Sequence, residues 1–169
     1  MNFQFYLEKL YAQDSFDKFM KENKDAIPVT GFFVIDLEGK DNQQHFDYYI
    51  PSTKKLFSFQ LEKSPEPVPM ELVEGFIANK LDMNYSFDFN EIETLIRKEM
   101  EKREIKNKIQ KFLFSLQKKD NRDYLVGTVF ISGFGMLKVN IDILNMEITH
   151  FEKKSFFDML KITKKKKEA

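Results

Sequence analysis

The spacing of apolar residues changes period several times along this chain. Phe3, Leu7, Leu10 and Tyr11 recur at helical spacing, and so do Phe16, Phe19 and Met20. They predict two short helices, the second capped by Asp14 or Ser15. Pro28 marks a switch to a period of two. Residues 29–37 are β-branched and aromatic, residues 45–50 alternate with Phe46, Tyr48 and Ile50 on one face, and residues 56–62 alternate with Phe57, Phe59 and Leu61 inward. The polar stretch 36–44 reads as a hairpin loop longer than the tight two-residue kind, and Pro51-Ser52-Thr53-Lys54 as a turn.

Pro65, Pro67 and Pro69 predict a break in regular structure and a boundary between two halves. Residues 70–85 carry a weak pattern, with Leu81-Asp82-Met83 as a short extended piece. A strong helix start follows. Asp88 is placed as N-cap with Glu91 three residues on, Phe87 and Ile92 as a hydrophobic staple, and Phe89, Ile92, Ile96 and Met100 as the buried stripe. Residues 105–118 fit two periods. Ile105, Ile109, Phe112, Leu113 and Leu116 suit a helix face, whereas Phe112, Phe114 and Leu116 suit a strand. The aromatic run 112–114 favours a strand from about Gln110. Strands are then predicted over 124–132, 137–143 and 146–151, with the tight turn Gly133-Phe134-Gly135. A short helix is capped at Ser155, and residues 163–169 form a frayed basic tail.

The chain therefore reads as α+β: two helix-plus-antiparallel-meander repeats, each sheet packed under helices. The first half spans 1–64, a Pro-containing linker with a short extended piece 65–86, and the second half with a C-terminal helix 87–162. The repeat rests on Gly31 within Thr30-Gly31-Phe32-Phe33-Val34-Ile35 and Gly127 within Val126-Gly127-Thr128-Val129-Phe130-Ile131. The inward positions assigned are Phe33, Ile35, Phe57, Phe59, Val129, Ile131, Val139 and Ile141.

The run Val139-Asn140-Ile141-Asp142-Ile143-Leu144-Asn145-Met146-Glu147-Ile148 resembles the end of a PepSY-like unit, in which a strand leads through an Asp-started turn into a final strand. Tyr48-Tyr49-Ile50-Pro51-Ser52-Thr53-Lys54-Lys55-Leu56 is a looser version in the first half. The whole chain is also similar to small uncharacterised proteins of reduced-genome archaea. The resemblance implies a role in binding or inhibition, often outside the cytoplasm, and carries over no catalytic residue.

Composition narrows the function. With 19 Phe among 169 residues the chain can build a core, and with no Cys it has no thiol nucleophile and no thiolate metal site. No apolar run approaches the ~20 residues of a membrane span. The first residues do not read as a signal peptide, so a cytoplasmic location and no membrane partner are expected. The two histidines, His45 and His150, are assigned structural or surface roles. Gly133-Phe134-Gly135 sits between strands and reads as a turn, not a nucleotide loop. No catalytic residue, metal site or cofactor is expected, and the protein is not expected to be an enzyme.

Zero net charge hides an asymmetry: residues 1–96 carry net −8 and residues 97–119 net +6. Arg97, Lys98, Lys102, Arg103, Lys106, Lys108 and Lys111 form the one candidate contact for a polyanion or partner. Glu99, Glu101 and Glu104 interrupt them, as on a solvated helix laced with ion pairs. The favoured expectation is non-enzymatic binding of a protein partner, with the basic segment facing the chain's own acidic half. An RNA- or ribosome-associated factor using residues 97–111 comes second, and a small-molecule carrier with a Phe-lined cleft between the halves third.

Overall fold

The computed structural model describes residues 1–63 and 66–168. Residue 64, the expected end of the first half, Pro65, expected at the boundary, and Ala169, the end of the expected tail, lie outside them. Among the described residues the chain runs α1 (Phe3–Tyr11), α2 (Asp14–Glu22), β1 (Ile27–Asp36), β2 (Gln43–Ile50), β3 (Lys55–Gln60) and β4 (Val68–Met70). It continues with α3 (Phe89–Lys102), β5 (Ile109–Lys119), β6 (Arg122–Ile131), β7 (Gly135–Asp142), β8 (Glu147–Ser155) and α4 (Phe156–Glu168). The strands form one antiparallel sheet in the order β4-β3-β2-β1-β5-β6-β7-β8. The α+β class is as expected, and the halves share one sheet, a point the sequence left open. They join where β1 lies antiparallel to β5, from Gly31 opposite Leu116 to Asp36 opposite Lys111.

Helices α1, α2 and α3 each bury one stripe against the same face of this sheet. Phe3, Tyr6, Leu7 and Leu10 come from α1, Phe16 and Phe19 from α2, and Phe89, Ile92, Ile96 and Met100 from α3. They share a core with Phe33, Phe46, Phe59, Phe114, Leu125 and Val129 of the strands. The rings meet edge to face: Phe16 and Phe19 lie 5.2 and 5.1 Å from Phe59, and Phe3 lies 5.9 Å from Phe46. All eight inward assignments made from the alternation point into this core, with Ile35 and Phe57 only partly buried. The box at Asp88 forms in full, its carboxylate accepting from Asn90 N–H at 2.7 Å while Glu91 accepts from Asp88 N–H at 3.2 Å.

Several expectations change. Asp14 does not cap α2 but begins it; Gln13 is the N-cap and makes no side-chain capping bond. The Pro-containing segment 65–86 is not free of regular structure. Val68–Met70 pairs with β3 as the edge strand, and Pro69, opposite Phe57, is tolerated there because an edge strand needs no outward N–H partner. Leu81-Asp82-Met83 forms no strand, yet Leu81 is fully buried and its N–H donates to the Pro28 carbonyl at 2.9 Å. Residues 105–118 resolve as strand, starting at Ile109. The final helix runs through the expected tail to Glu168.

The extra strands alter the expected internal match. The Gly31 strand is β1, the first after its helices, whereas the Gly127 strand is β6, the second after α3. By order along the chain, β1 corresponds to β5, and β4 supplies the fourth strand of the first half. What the two glycines share is a local device. Gly31 sits opposite Phe46 and Gly127 opposite Phe114, each leaving room for a ring on the neighbouring strand. The room differs: a Cβ on Gly127 would run into the Leu113 carbonyl and the Phe114 ring, while one on Gly31 would touch the Phe33 and Phe46 rings at 3.2–3.3 Å. Gly127→Ala should therefore cost ~1–3 kcal/mol as an overpacked site, and Gly31→Ala clearly less, read from urea midpoints.

Candidate functional site

The first turns of α1 and α3 start from one point. Asn2 bridges Asp88, Phe3 N–H donates to Phe87 O at 3.1 Å, and Phe89 N–H donates to Met1 O at 3.1 Å. Beside this knot, over the end of β1 and the start of β5, lies a cleft of about 430 Å³ to which both halves contribute. Its apolar lining comes from Phe5 and Tyr6 of α1, Ile35 and Leu37 around the end of β1, Phe89 of α3 and Phe112 of β5. Asn42, Gln44, Asn90, Asp36, Lys9, Glu62 and Glu93 add polar groups.

The charged groups of the rim are engaged with one another or with neighbours. Lys9 pairs with Glu62 at 3.3 Å, and Glu93 with Arg97 at 2.6 Å. Asp36 is partly desolvated, but the N–H groups of Gly39, Glu38 and Asp41 and the Lys111 ammonium hold its carboxyl below the ordinary range. Burial, aided by Glu62 and Asp88, pushes the Tyr6 phenol up, so it stays a neutral hydroxyl. Gln44 is only 4% exposed, and its side chain lines the cleft.

Of the seven basic residues singled out in the sequence, five form ion pairs among the described residues. Arg97 pairs with Glu93, Lys102 with Glu99 at 3.8 Å, and Arg103 with Glu99 at 2.8 Å. Arg103 also lies 4.5 Å over the Phe151 ring. Lys108 crosses to Glu38 at 2.8 Å, and Lys111 to Asp41 at 3.0 Å and Asp36 at 3.8 Å, so these two meet the acidic first half. Lys98 and Lys106 form no ion pair among the described residues.

The face of the sheet turned away from α1, α2 and α3 carries a constellation the sequence reading passed over. His45 and Asp47, two apart on β2, share that face, with His45 Nε2 3.8 Å from Asp47 Oδ1. Phe32 stacks on the imidazole at 4.6 Å, and Ser58 of β3 stands opposite Asp47. The Asp47 side chain is 14% exposed and Ser58 1%; neither Asp47 Oδ1 nor Ser58 Oγ makes a hydrogen bond of good geometry. Burial lowers the affinity of His45 for a proton, Asp47 pulling it back up and Lys63 pushing it down. Burial likewise raises the Asp47 carboxyl, against the pull of His45 and Ser58. The signal was the His-x-Asp spacing inside an alternating strand. His150 and Glu152 repeat it on β8 at 3.6 Å, but both are well exposed. No group of three or more His, Cys, Asp or Glu arranged to hold a metal occurs among the described residues.

No family model and no curated protein matches the chain. Among solved structures it is similar to the crystal structure of a putative lipoprotein from Clostridium difficile 630, with a TM-score of 0.56 and 15% identity over 83% of this chain and 91% of that one. At that identity the likeness speaks for the α+β fold alone.

The His45–Asp47 pair makes stability depend on pH with two opposed signs. A histidine that resists protonation in the fold weakens it as pH falls through the unfolded value of 6.5. A carboxyl raised in the fold does the reverse, binding a proton more readily than the unfolded chain. Asp47→Asn leaves His45 alone, so going from about pH 7.5 to about pH 5.5 should lower its urea midpoint more steeply than that of the wild type. His45→Gln should remove the loss. Equal slopes in all three proteins would mean the pair does not titrate differently in the fold.

Proposed function

We propose that this protein is a non-enzymatic binding protein that holds a small, largely apolar ligand in the cleft between its halves. The observation that carries this reading is the cleft itself, about 430 Å³ with a floor of Phe89, Phe112 and Ile35, lined also by the side chain of Gln44. An apolar pocket with a few convergent polar groups is the usual form of a small-molecule site. The geometry favours a ligand with an aromatic or aliphatic body and one carbonyl, hydroxyl or amide group to meet Gln44, with Asn42 and Asn90 at the rim. No histidine lines the cleft, and its carboxylates Glu62 and Glu93 are tied up in ion pairs, which supports binding over catalysis.

Leu37 is exposed at the rim and keeps its place through its own N–H, which donates to Gln110 O at 2.9 Å. Leu37→Trp should narrow the mouth without disturbing the core. An anilinonaphthalene sulfonate probe should bind the wild type and bind this variant about tenfold more weakly, on the order of 1.4 kcal/mol. Unchanged probe affinity would remove the cleft as the site.

The RNA reading loses support from the ion pairs of Arg97, Arg103, Lys108 and Lys111. Reversing Lys102, Arg103 and Lys106 to Glu should lower stability by about 0.5–1 kcal/mol through the lost Arg103–Phe151 stack. RNA retention should be absent before and after. Salt-sensitive RNA retention by the wild type, abolished in a folded triple variant, would restore that reading.

A further inference from the structure

Helix α4 is built differently from the other three. Every described side chain from Phe156 to Lys167 is exposed, including Phe156, Phe157, Leu160 and Ile162. Its start is fastened, Phe156 N–H donating to Phe134 O at 2.9 Å and Phe157 N–H to Ser155 Oγ at 3.2 Å. A 13-residue helix without a packed face is marginal in water, because helices of this length draw most of their stability from tertiary burial. Lys161 and the four consecutive lysines 164–167 add mutual repulsion. The sequence thus supplies a helix whose described apolar and basic side chains are all exposed.

The tip of the β6–β7 hairpin points to the same surface. Phe134 sits there with φ of 56°, in the left-handed region where a bulky residue is uncommon, and is 71% exposed. Asn or Gly would make the turn more easily. Its ring lies 5.9 Å from that of Phe157, so the tip and the helix present one apolar patch. An aromatic kept in a strained position yet left in water serves neither turn nor core.

We infer that α4 and the Phe134 tip form a contact for an anionic lipid surface, on which the helix lies flat. Such a surface answers both deficits together: the acyl boundary takes Phe134, Phe156, Phe157 and Leu160, and the headgroups neutralise the lysines. At 13 residues α4 is too short to span a bilayer, and no helix of the described residues is long and apolar enough to do so. The expectation of no membrane partner rested on the lack of a span and of a signal peptide, neither of which a surface-lying helix needs. Leu160 and Ile162 offer no flat face for stacking on bases, which favours lipid over RNA. A second α4 would bring two lysine clusters together. This surface is independent of the cleft.

Flotation of the full chain with lipid vesicles tests the inference. Phosphatidylcholine vesicles containing about one third phosphatidylglycerol should carry the protein about tenfold better than phosphatidylcholine alone, with the advantage falling as salt is raised. Lys164→Glu, Lys165→Glu and Lys166→Glu together should abolish it. Phe134→Asn suits the turn's backbone and should keep the fold; combined with Phe157→Ser it should weaken vesicle binding while leaving probe binding in the cleft intact. Equal flotation with both vesicle types would overturn the inference, and so would none with either. Self-association without lipid that the lysine reversal removes, or RNA retention indifferent to the Phe changes, would assign the patch to another partner.

Discussion

The antiparallel pairing of β1 with β5 is the contact on which the rest of the molecule depends. Without it the two halves would each be a small meander with an open edge, and an unpaired strand edge is a site for pairing with other chains. With it, eight strands share one surface wide enough for α1, α2 and α3 to bury their apolar stripes together. The same pairing sets Asp36 opposite Lys111, and so brings the acidic loop 36–41 against the basic start of β5. It also places Ile35 opposite Phe112, the floor of the cleft. Cleft, charge pairing and core all follow from one register.

Aromatic packing specifies that register. Phe33 stands opposite Phe114 across the seam, and Phe89 of α3 lies 5.0 Å from Phe33 and 6.4 Å from Phe114. A slip of one residue would turn every inward ring of β5 to the far face. The glycines at 31 and 127 let these rings lie down over the neighbouring strand. Large side chains thus set the sheet, and small ones set where the large ones fit.

The two faces of the sheet serve different ends. The helix-covered face carries the apolar core and, beside α1 and α3, the cleft that the Gln44 side chain lines. The other face mixes half-buried apolar residues with His45, Asp47 and Ser58, where burial shifts the proton affinities of the pair in opposite directions. Beyond the sheet, α4 carries apolar and basic groups that are exposed among the described residues. A small ligand and a charged surface can therefore be accommodated at separate places.

Much of the fold was legible in the sequence because its signals are local. Alternation in residues 45–50 and 56–62 placed Phe46, Tyr48 and Phe59 inward, and the Asp88–Glu91 box marked the start of α3, since pleat and cap chemistry depend only on near neighbours. The aromatic run 112–114 was enough to favour strand over helix. Periodicity did not reveal β4, because a three-residue edge strand centred on a proline becomes a strand only when β3 offers it bonds. Nor did charge counting locate the site. Lys108 and Lys111 meet Glu38, Asp36 and Asp41 some 70 residues away, and the lining of the cleft is gathered from α1, β1, α3 and β5. The sequence by itself determined the elements and their inward faces, through local sterics and apolar spacing. Only the tertiary structure decided that the halves share one sheet and enclose a cleft, because both depend on which distant strands and helices come to lie side by side.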